Sequence, residues 1–418
     1  MSGDVTVGTT TDATTGTPTG TTTDSTRRSP LHDEHVALGG TLVPFAGWTM
    51  PLRYTSDLAE HTAVRTAAGL FDLSHMGEIV VEGPGAGAFL DRALVGALSA
   101  LRVLGARYTM LCREDGGVLD DLVVYRTGDE AYLVVANAAN HEVVLAALRE
   151  RAAAAAGVVG EVRVEDRSAA TALVAVQGPR ALDVLVALPG LVLAAGPDGS
   201  VTDLPTGLAV LKYYACLPAA VDGRPVLLAR TGYTGEDGFE LFCDAADAPA
   251  LWRALLAVGT PLGLVPAGLA ARDSLRLEAG MPLYGHELDT TTTPFEAGLG
   301  RVVRLDKVDA AGEPVPFVGR EALAARAGSA PARVLVGLEG LGRRAAREGY
   351  PVLASAAADA PRVGTVTSGA PSPTLGRPVA MAYVTPELSA PGTELAVDVR
   401  GRPEPVRVVA LPFYRRAR

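Results

Sequence analysis

Between Val118 and Tyr125 the chain reads Val-Leu-Asp-Asp-Leu-Val-Val-Tyr, an apolar strand pattern interrupted by two adjacent carboxylates. The run Tyr108 to Arg113 precedes it, and Glu114-Asp115-Gly116-Gly117 supplies turn residues that tolerate positive φ, so the two runs predict a hairpin. A third strand-like run, Ala131 to Asn137, follows Thr127-Gly128-Asp129-Glu130. A side-chain period of two puts Val118, Asp120, Leu122 and Val124 on one face and Leu119, Asp121, Val123 and Tyr125 on the other. Each face then carries one aspartate among apolar neighbours. Aspartate is poor in strands, and a desolvated carboxylate is costly unless something pairs with it. Two readings stand at this point: the pair ends a turn and meets solvent or an ion partner, or one of the two carries chemistry.

Elsewhere the periods change. Asp57 to Ala68 has helical spacing, with Gly69 as its expected C-cap. A strand from Glu78 to Glu82 runs into Gly83-Pro84-Gly85-Ala86-Gly87 and a helix from Ala88 to Leu94. Leu173 to Leu182 repeats that strand, Gly-Pro turn and helix. A duplicated β-turn-α unit explains both copies more simply than two nucleotide sites, because the glycine spacing is wrong for a phosphate turn. Ala138 to Ala155 reads as one helix, Gly196-Pro197-Asp198-Gly199-Ser200 as a polar loop, and Val226 to Ala229 as a strand leading into Arg230-Thr231-Gly232-Tyr233-Thr234-Gly235. Tyr233 on that glycine-rich turn either offers its ring face to a flat heterocycle or packs on its neighbours. Glu240 alternates with Phe239 and Leu241, so it faces away from them and can accept two N–H bonds from an amide-like edge. Pro266 to Gly280 reads as a helix with Arg272 and Arg276 one turn apart, each either ion-paired, with Asp273 or Glu278 in reach, or free to fork a carboxylate. Lys307 to Pro316 reads as a linker. Arg333–Glu339, Pro361–Ser368, Val379–Val384, Glu394–Val399 and Val406–Leu411 are expected to be short strands of a small barrel or sandwich.

Composition narrows the function class. The 418 residues are 48% hydrophobic, enough for two or three domains, and the formal net charge of -10 argues against a general nucleic-acid binder. Three cysteines without CxxC spacing suit a reducing compartment, and six scattered histidines predict no metal site. No apolar run approaches the roughly 18 residues of a membrane span. Residues 1 to 29, mostly Thr, Gly, Ser and Asp, are expected to form a disordered, dispensable tail with folded sequence from Pro30; lacking secretory or mitochondrial features, the chain is expected to be cytoplasmic. The chemistry then falls to carboxylate, Arg and aromatic groups acting on an organic cofactor.

Taken together, the motifs resemble the T protein of the glycine cleavage system, an aminomethyltransferase family. The resemblance runs from about Leu31 to Arg415, through Phe45-Ala46-Gly47-Trp48, Phe71 to Glu78, the Gly-Gly-x-x-Asp-Asp hairpin, Arg230 to Glu240, Gly268 to Asp273, Thr367-Ser368-Gly369, Ser372 to Gly376 and Pro412-Phe413-Tyr414. It implies an α+β, three-domain cloverleaf around a folate site. Domain 1 is expected over 30–77 and 168–289, domain 2 over 78–167 and 290–317, and a β-barrel over 318–418. It also implies that Asp121 is the catalytic carboxylate and Asp120 structural. Tyr233 and Glu240 match pterin-holding positions, Arg272 a basic group of the site, and Met76, Tyr108 and Tyr125 its lining; Tyr414 matches a further ligand position near a C-terminus of variable length. The implied reaction moves the methylene carbon of an aminomethyl group from the lipoyl arm of H protein to tetrahydrofolate, releasing ammonia and leaving a dihydrolipoyl arm. Arg343, Arg344 and Arg347 are the candidate basic patch for docking an acidic H protein. Two alternatives share the fold: a folate-dependent demethylase of a sulfonium acid, and a non-catalytic folate-binding protein of iron–sulfur assembly. The latter branch carries Lys-Gly-Cys-Tyr, where this chain has Arg230-Thr231-Gly232-Tyr233.

Overall fold

The computed structural model describes residues 26–194, 203–357 and 359–416. Two sheets and a barrel carry the architecture. A five-stranded sheet has the order Ala106–Cys112, Val118–Arg126, Ala131–Ala136, Gly77–Glu82, Arg163–Asp166. A seven-stranded sheet runs Leu191–Leu193, Cys216–Val221, Arg224–Ala229, Gly238–Asp244, Thr171–Gln177, Ala68–Asp72, Leu264–Pro266. Six strands, Val334–Gly340, Arg377–Val384, Arg362–Ser372, Pro351–Leu353, Glu394–Asp398 and Pro403–Val409, close into the barrel. Alternation within each strand explains its two faces. Ile79, Val81, Leu122, Val124 and Val134 pack under the helices Ala86–Ala93 and His141–Ala154. The opposite face of the same sheet supplies Tyr125, Leu133 and Val135 to a shared cluster with Phe71, Leu173, Ala175 and Phe242 of the larger sheet. That shared core sets the strand bearing Asp121 against the strand bearing Glu240.

The repeat is a matter of folding. In both copies a strand, Gly77–Glu82 or Thr171–Gln177, meets a Gly-Pro turn and a helix, Ala86–Ala93 or Ala181–Val186. Gly83 and Gly178 have φ of +119° and +137°, and a Cβ on either would lie 2.5 Å from the Glu161 carbonyl oxygen or 2.4 Å from that of Ala67. A backbone carbonyl fills the place where an anion would sit, so neither turn is a phosphate cradle.

Several sequence expectations change. The helix beginning at Asp57 ends at Thr66 with Ala67 as its cap, and Gly69 lies inside the strand Ala68–Asp72, because the chain pairs at once with Leu264–Pro266. Ala138 to Ala155 splits into a 3-10 turn, Ala138–Asn140, and the helix His141–Ala154. Lys307 is not part of a free linker: it is buried, and its ammonium donates to the carbonyls of Leu94 and Gly96 at 2.6 and 2.9 Å. Folded sequence begins before Pro30, since Arg27–Arg28 pairs in parallel with Trp48 and Thr49, and buried Ser29 donates its hydroxyl to Asp72. The remainder of the expected tail and the Gly196–Ser200 loop lie outside the described residues.

Candidate active site

The aspartate strand is not regular. Its register against Ala106–Cys112 shifts beside Asp120, with Leu111 opposite Asp120 and Cys112 opposite Val118, so Leu119 is an extra, bulged residue. Val118 therefore packs with Met110 and Cys112, while Leu119 joins the helix-covered core, the reverse of what an unbroken period of two gives. Beyond the bulge the alternation holds. Asp120 is fully buried, and Asp121 lies on the face of Val123 and Tyr125, partly open.

Asp121 is held by two neutral donors. Tyr108 donates its hydroxyl to Oδ2 at 3.0 Å and Asn137 donates Nδ2 to Oδ1 at 2.8 Å. Burial pushes both Asp120 and Asp121 above the ordinary carboxylate range; the charge of Asp121 raises Asp120 further, and that of Glu287 raises Asp121. Burial, and then Asp121 itself, raises the Tyr108 phenol, so Tyr108 remains a neutral donor.

Across the shared core, Tyr125 reaches the larger sheet, bonding Thr231 at 2.9 Å and Glu240 Oε2 at 3.2 Å. Thr231 donates to the same oxygen. One oxygen of Glu240 is thus occupied from within, and Oε1 keeps its acceptor capacity. Tyr233 has its hydroxyl pinned to the Pro282 carbonyl and its ring under the Arg272 guanidinium, 4.8 Å from the ring centroid. It feels the charges of Arg276, Asp121, Arg272 and Glu287, which places it between the aspartate strand and the helix that carries both arginines. Met76, half-buried, packs against the same shared cluster.

The two helix arginines separate cleanly. Arg276 is buried and committed to Asp273, Glu287 and Ser368, at 2.7, 2.9 and 2.8 Å. Arg272 makes no ion pair among the described residues, and burial lowers its pKa. An unpaired, desolvated guanidinium is the group that gains most from an incoming carboxylate. His75, beside it, is pushed down to about 4 by burial and then by the charge of Arg272, and is neutral. Tyr414 lies at a different place: its ring covers Arg65 at 4.0 Å and its amide donates to the Glu278 carbonyl at 2.8 Å. Of the docking patch, Arg344 is paired with Glu404 at 2.7 Å and Arg347 bonds the Gly369 carbonyl at 3.1 Å. A cleft of about 660 Å³ beside Arg92, Arg151 and Arg320 contains none of the site residues.

Sequence reasoning missed Asn137, Asn140, Thr231 and Glu287. For the two asparagines the available signal is an Asn-x-x-Asn spacing immediately past a strand end, and Thr231 lies within the glycine-rich stretch before Tyr233.

Residues 31–307 match the GCVT N-terminal domain model and residues 333–415 the glycine cleavage T-protein C-terminal barrel domain model. The chain is 58% identical to an aminomethyltransferase of Streptomyces avermitilis, over 93% of this chain and 98% of that one. It is 57% identical to an aminomethyltransferase of Saccharopolyspora erythraea, over 94% and 99%. The crystal structure of glycine cleavage system aminomethyltransferase T from Bartonella henselae superposes with a TM-score of 0.79 at 36% identity, over 93% of this chain and 98% of that one. With both family models matched in order and the barrel closed as six strands, the chain belongs to the glycine cleavage T-protein family of aminomethyltransferases.

Proposed function

We propose that the space bounded by Asp121, Tyr108, Tyr233, Glu240 and Arg272 holds tetrahydrofolate, and that Asp121 is the catalytic carboxylate of aminomethyl transfer from the lipoyl arm of H protein. The observation that carries this reading is the pairing of opposites: a partly open carboxylate held by neutral donors, and an unpaired guanidinium over a tyrosine ring. The residues fit such a co-substrate. The Tyr233–Arg272 stack suits a flat ring or a carboxylate tail, and Glu240 Oε1 suits the N–H edge of a pterin. When bound, tetrahydrofolate supplies the nitrogens that accept the methylene carbon. Asp121 stabilises the positive charge that develops on that carbon as its bonds to sulfur and to the amino nitrogen break, an interaction strengthened by the desolvated setting. Tyr108 and Asn137 keep the carboxylate aimed. Tyr125, bonded to Glu240, ties the two walls together.

We place this work in the cytoplasm; the three cysteines are free and buried, and among the described residues no helix is long and apolar enough to cross a membrane. The test is ammonia release from aminomethylated H protein with and without tetrahydrofolate. Release stimulated by tetrahydrofolate, with stoichiometric methylenetetrahydrofolate, supports the reading. Release at the same rate without it would overturn the folate assignment.

A further inference from the structure

Asp120 and Asp121 were expected to have separate lives, one structural and one functional. A single amide joins them. Asn137 Nδ2 lies 2.9 Å from Asp120 Oδ1, 2.8 Å from Asp121 Oδ1 and 3.2 Å from the Asp121 carbonyl oxygen. Its backbone N–H also donates to Asp120 Oδ2 at 3.0 Å, and Asn140 Nδ2 donates to Asp120 Oδ1 at 2.7 Å. Asp120 thus receives three neutral N–H donors and has no exposure, an environment that tolerates a charge but supplies no counter-cation. An amide has only two N–H bonds to give, and those of Asn137 are committed to the two aspartates.

We propose that Asp120, acting through Asn137, is a positioning residue for the transfer reaction: it anchors the amide that orients Asp121 toward the reacting atoms. The proposal rests on Asp121 being the catalytic carboxylate. Aminomethyl transfer needs a proton acceptor held in a fixed place. As two carbon–nitrogen bonds to the acceptor form, two N–H protons must leave it, one to the departing lipoyl sulfur and one to the departing amine, which becomes ammonia. Asp121 is placed to accept one of these and pass it on. The other titratable groups facing the pair are Tyr108, Tyr214 and Tyr233 toward Asp121, Tyr284 toward both, Glu287 with its partner Arg276, and Asp289 beyond Tyr284. None places a free cation against Asp120.

The experiment is a titration of the full-length protein with 13C-carboxyl aspartate, the Asp121 signal being assigned by its loss in Asp121→Asn. In the wild type Asp121 is expected to titrate in two coupled steps above the ordinary carboxylate range. In Asp120→Asn the second step is expected to disappear, leaving a single Asp121 step, and the acid limb of kcat/KM is expected to follow it. An Asp121 titration unmoved in folded Asp120→Asn would overturn the proposal. Should that variant not fold, Asn137→Ala keeps both carboxylates and removes the bridge. Its kcat is expected to fall about tenfold with the folate concentration for half-maximal rate unchanged; an unchanged kcat would overturn the proposal. The titration needs no turnover, so failure of the Asp121 assignment, read as full activity in Asp121→Asn, is distinguishable from failure of this one.

Discussion

Two of the buried carboxylate centres among the described residues are opposites. Glu278, at the end of the helix Leu269–Glu278, accepts from His61 and from two nitrogens of Arg65 at 3.1, 3.1 and 2.9 Å, and from the Thr374 hydroxyl and amide at 2.7 and 3.1 Å. Ser372 donates as well. Burial opposes its charge, but the His61 and Ser372 bonds outweigh it, and the pKa falls to about 2. Because Ser372 and Thr374 come from the barrel side and His61 and Arg65 from the helix Asp57–Thr66, Glu278 is a rivet between domains. The Asp120–Asp121 pair receives only neutral donors and is raised instead. Burial does not assign a carboxylate its role; its partners do. A saturated carboxylate is finished as a structural part, and an undersaturated one keeps basicity for a substrate.

The largest expected effect falls on the saturated centre. Glu278→Ala leaves Arg65 and His61 facing an empty buried site, a loss of about 3–5 kcal/mol, seen as a strong drop in melting temperature. The two centres also have opposite pH signatures. The folded pKa of Glu278 is depressed, so its contribution, on the order of 3 kcal/mol, is complete above its ordinary value of 4.5 and disappears as pH falls toward about 2. The raised aspartates cost stability as pH climbs past the ordinary carboxylate range. Denaturant unfolding of wild type and Glu278→Gln across acid pH checks the sign: the acid-side slope is expected to flatten in the variant.

Next in size is Asp121→Asn, which keeps shape and removes charge. Turnover is expected to fall by on the order of a hundredfold with melting unchanged; a large fall in melting would move Asp121 into the structural class with Glu278. Arg272→Ala is expected to raise the folate concentration for half-maximal rate by about tenfold, the value of one charge-assisted contact. An unchanged folate dependence would remove it from the site. The smallest effect concerns the N-terminus: a chain starting at Pro30 loses the Ser29 bond to Asp72 and is expected to unfold about 1–2 kcal/mol more easily than one starting at Thr26.

Much of this was legible in the sequence because it has a period. The hairpin, the β-turn-α repeat and five barrel strands all appear as alternation or helical spacing between turn residues, and the sixth strand, Pro351–Leu353, is too short to show one. The bulge at Leu119 was invisible, since register is a property of two strands and not of one. Arg272 and Arg276 look alike from spacing alone; only the fold brings Glu287 and Ser368 to Arg276 and leaves Arg272 free. Glu278 was a suggested partner for one of those arginines, but it turns toward Arg65 and His61, more than two hundred positions away in the chain. Asn137 and Asn140 carry no period and declare themselves only when a strand end meets the carboxylates.

The most direct test of the central claim is single-turnover ammonia release by Asp121→Asn, preloaded with tetrahydrofolate and mixed with saturating aminomethylated H protein. If the charge of Asp121 acts on the reacting carbon, the chemical step itself is expected to slow by on the order of a hundredfold while tetrahydrofolate affinity stays near that of the wild type. A wild-type single-turnover rate, with any loss traced to weaker folate binding, would contradict it.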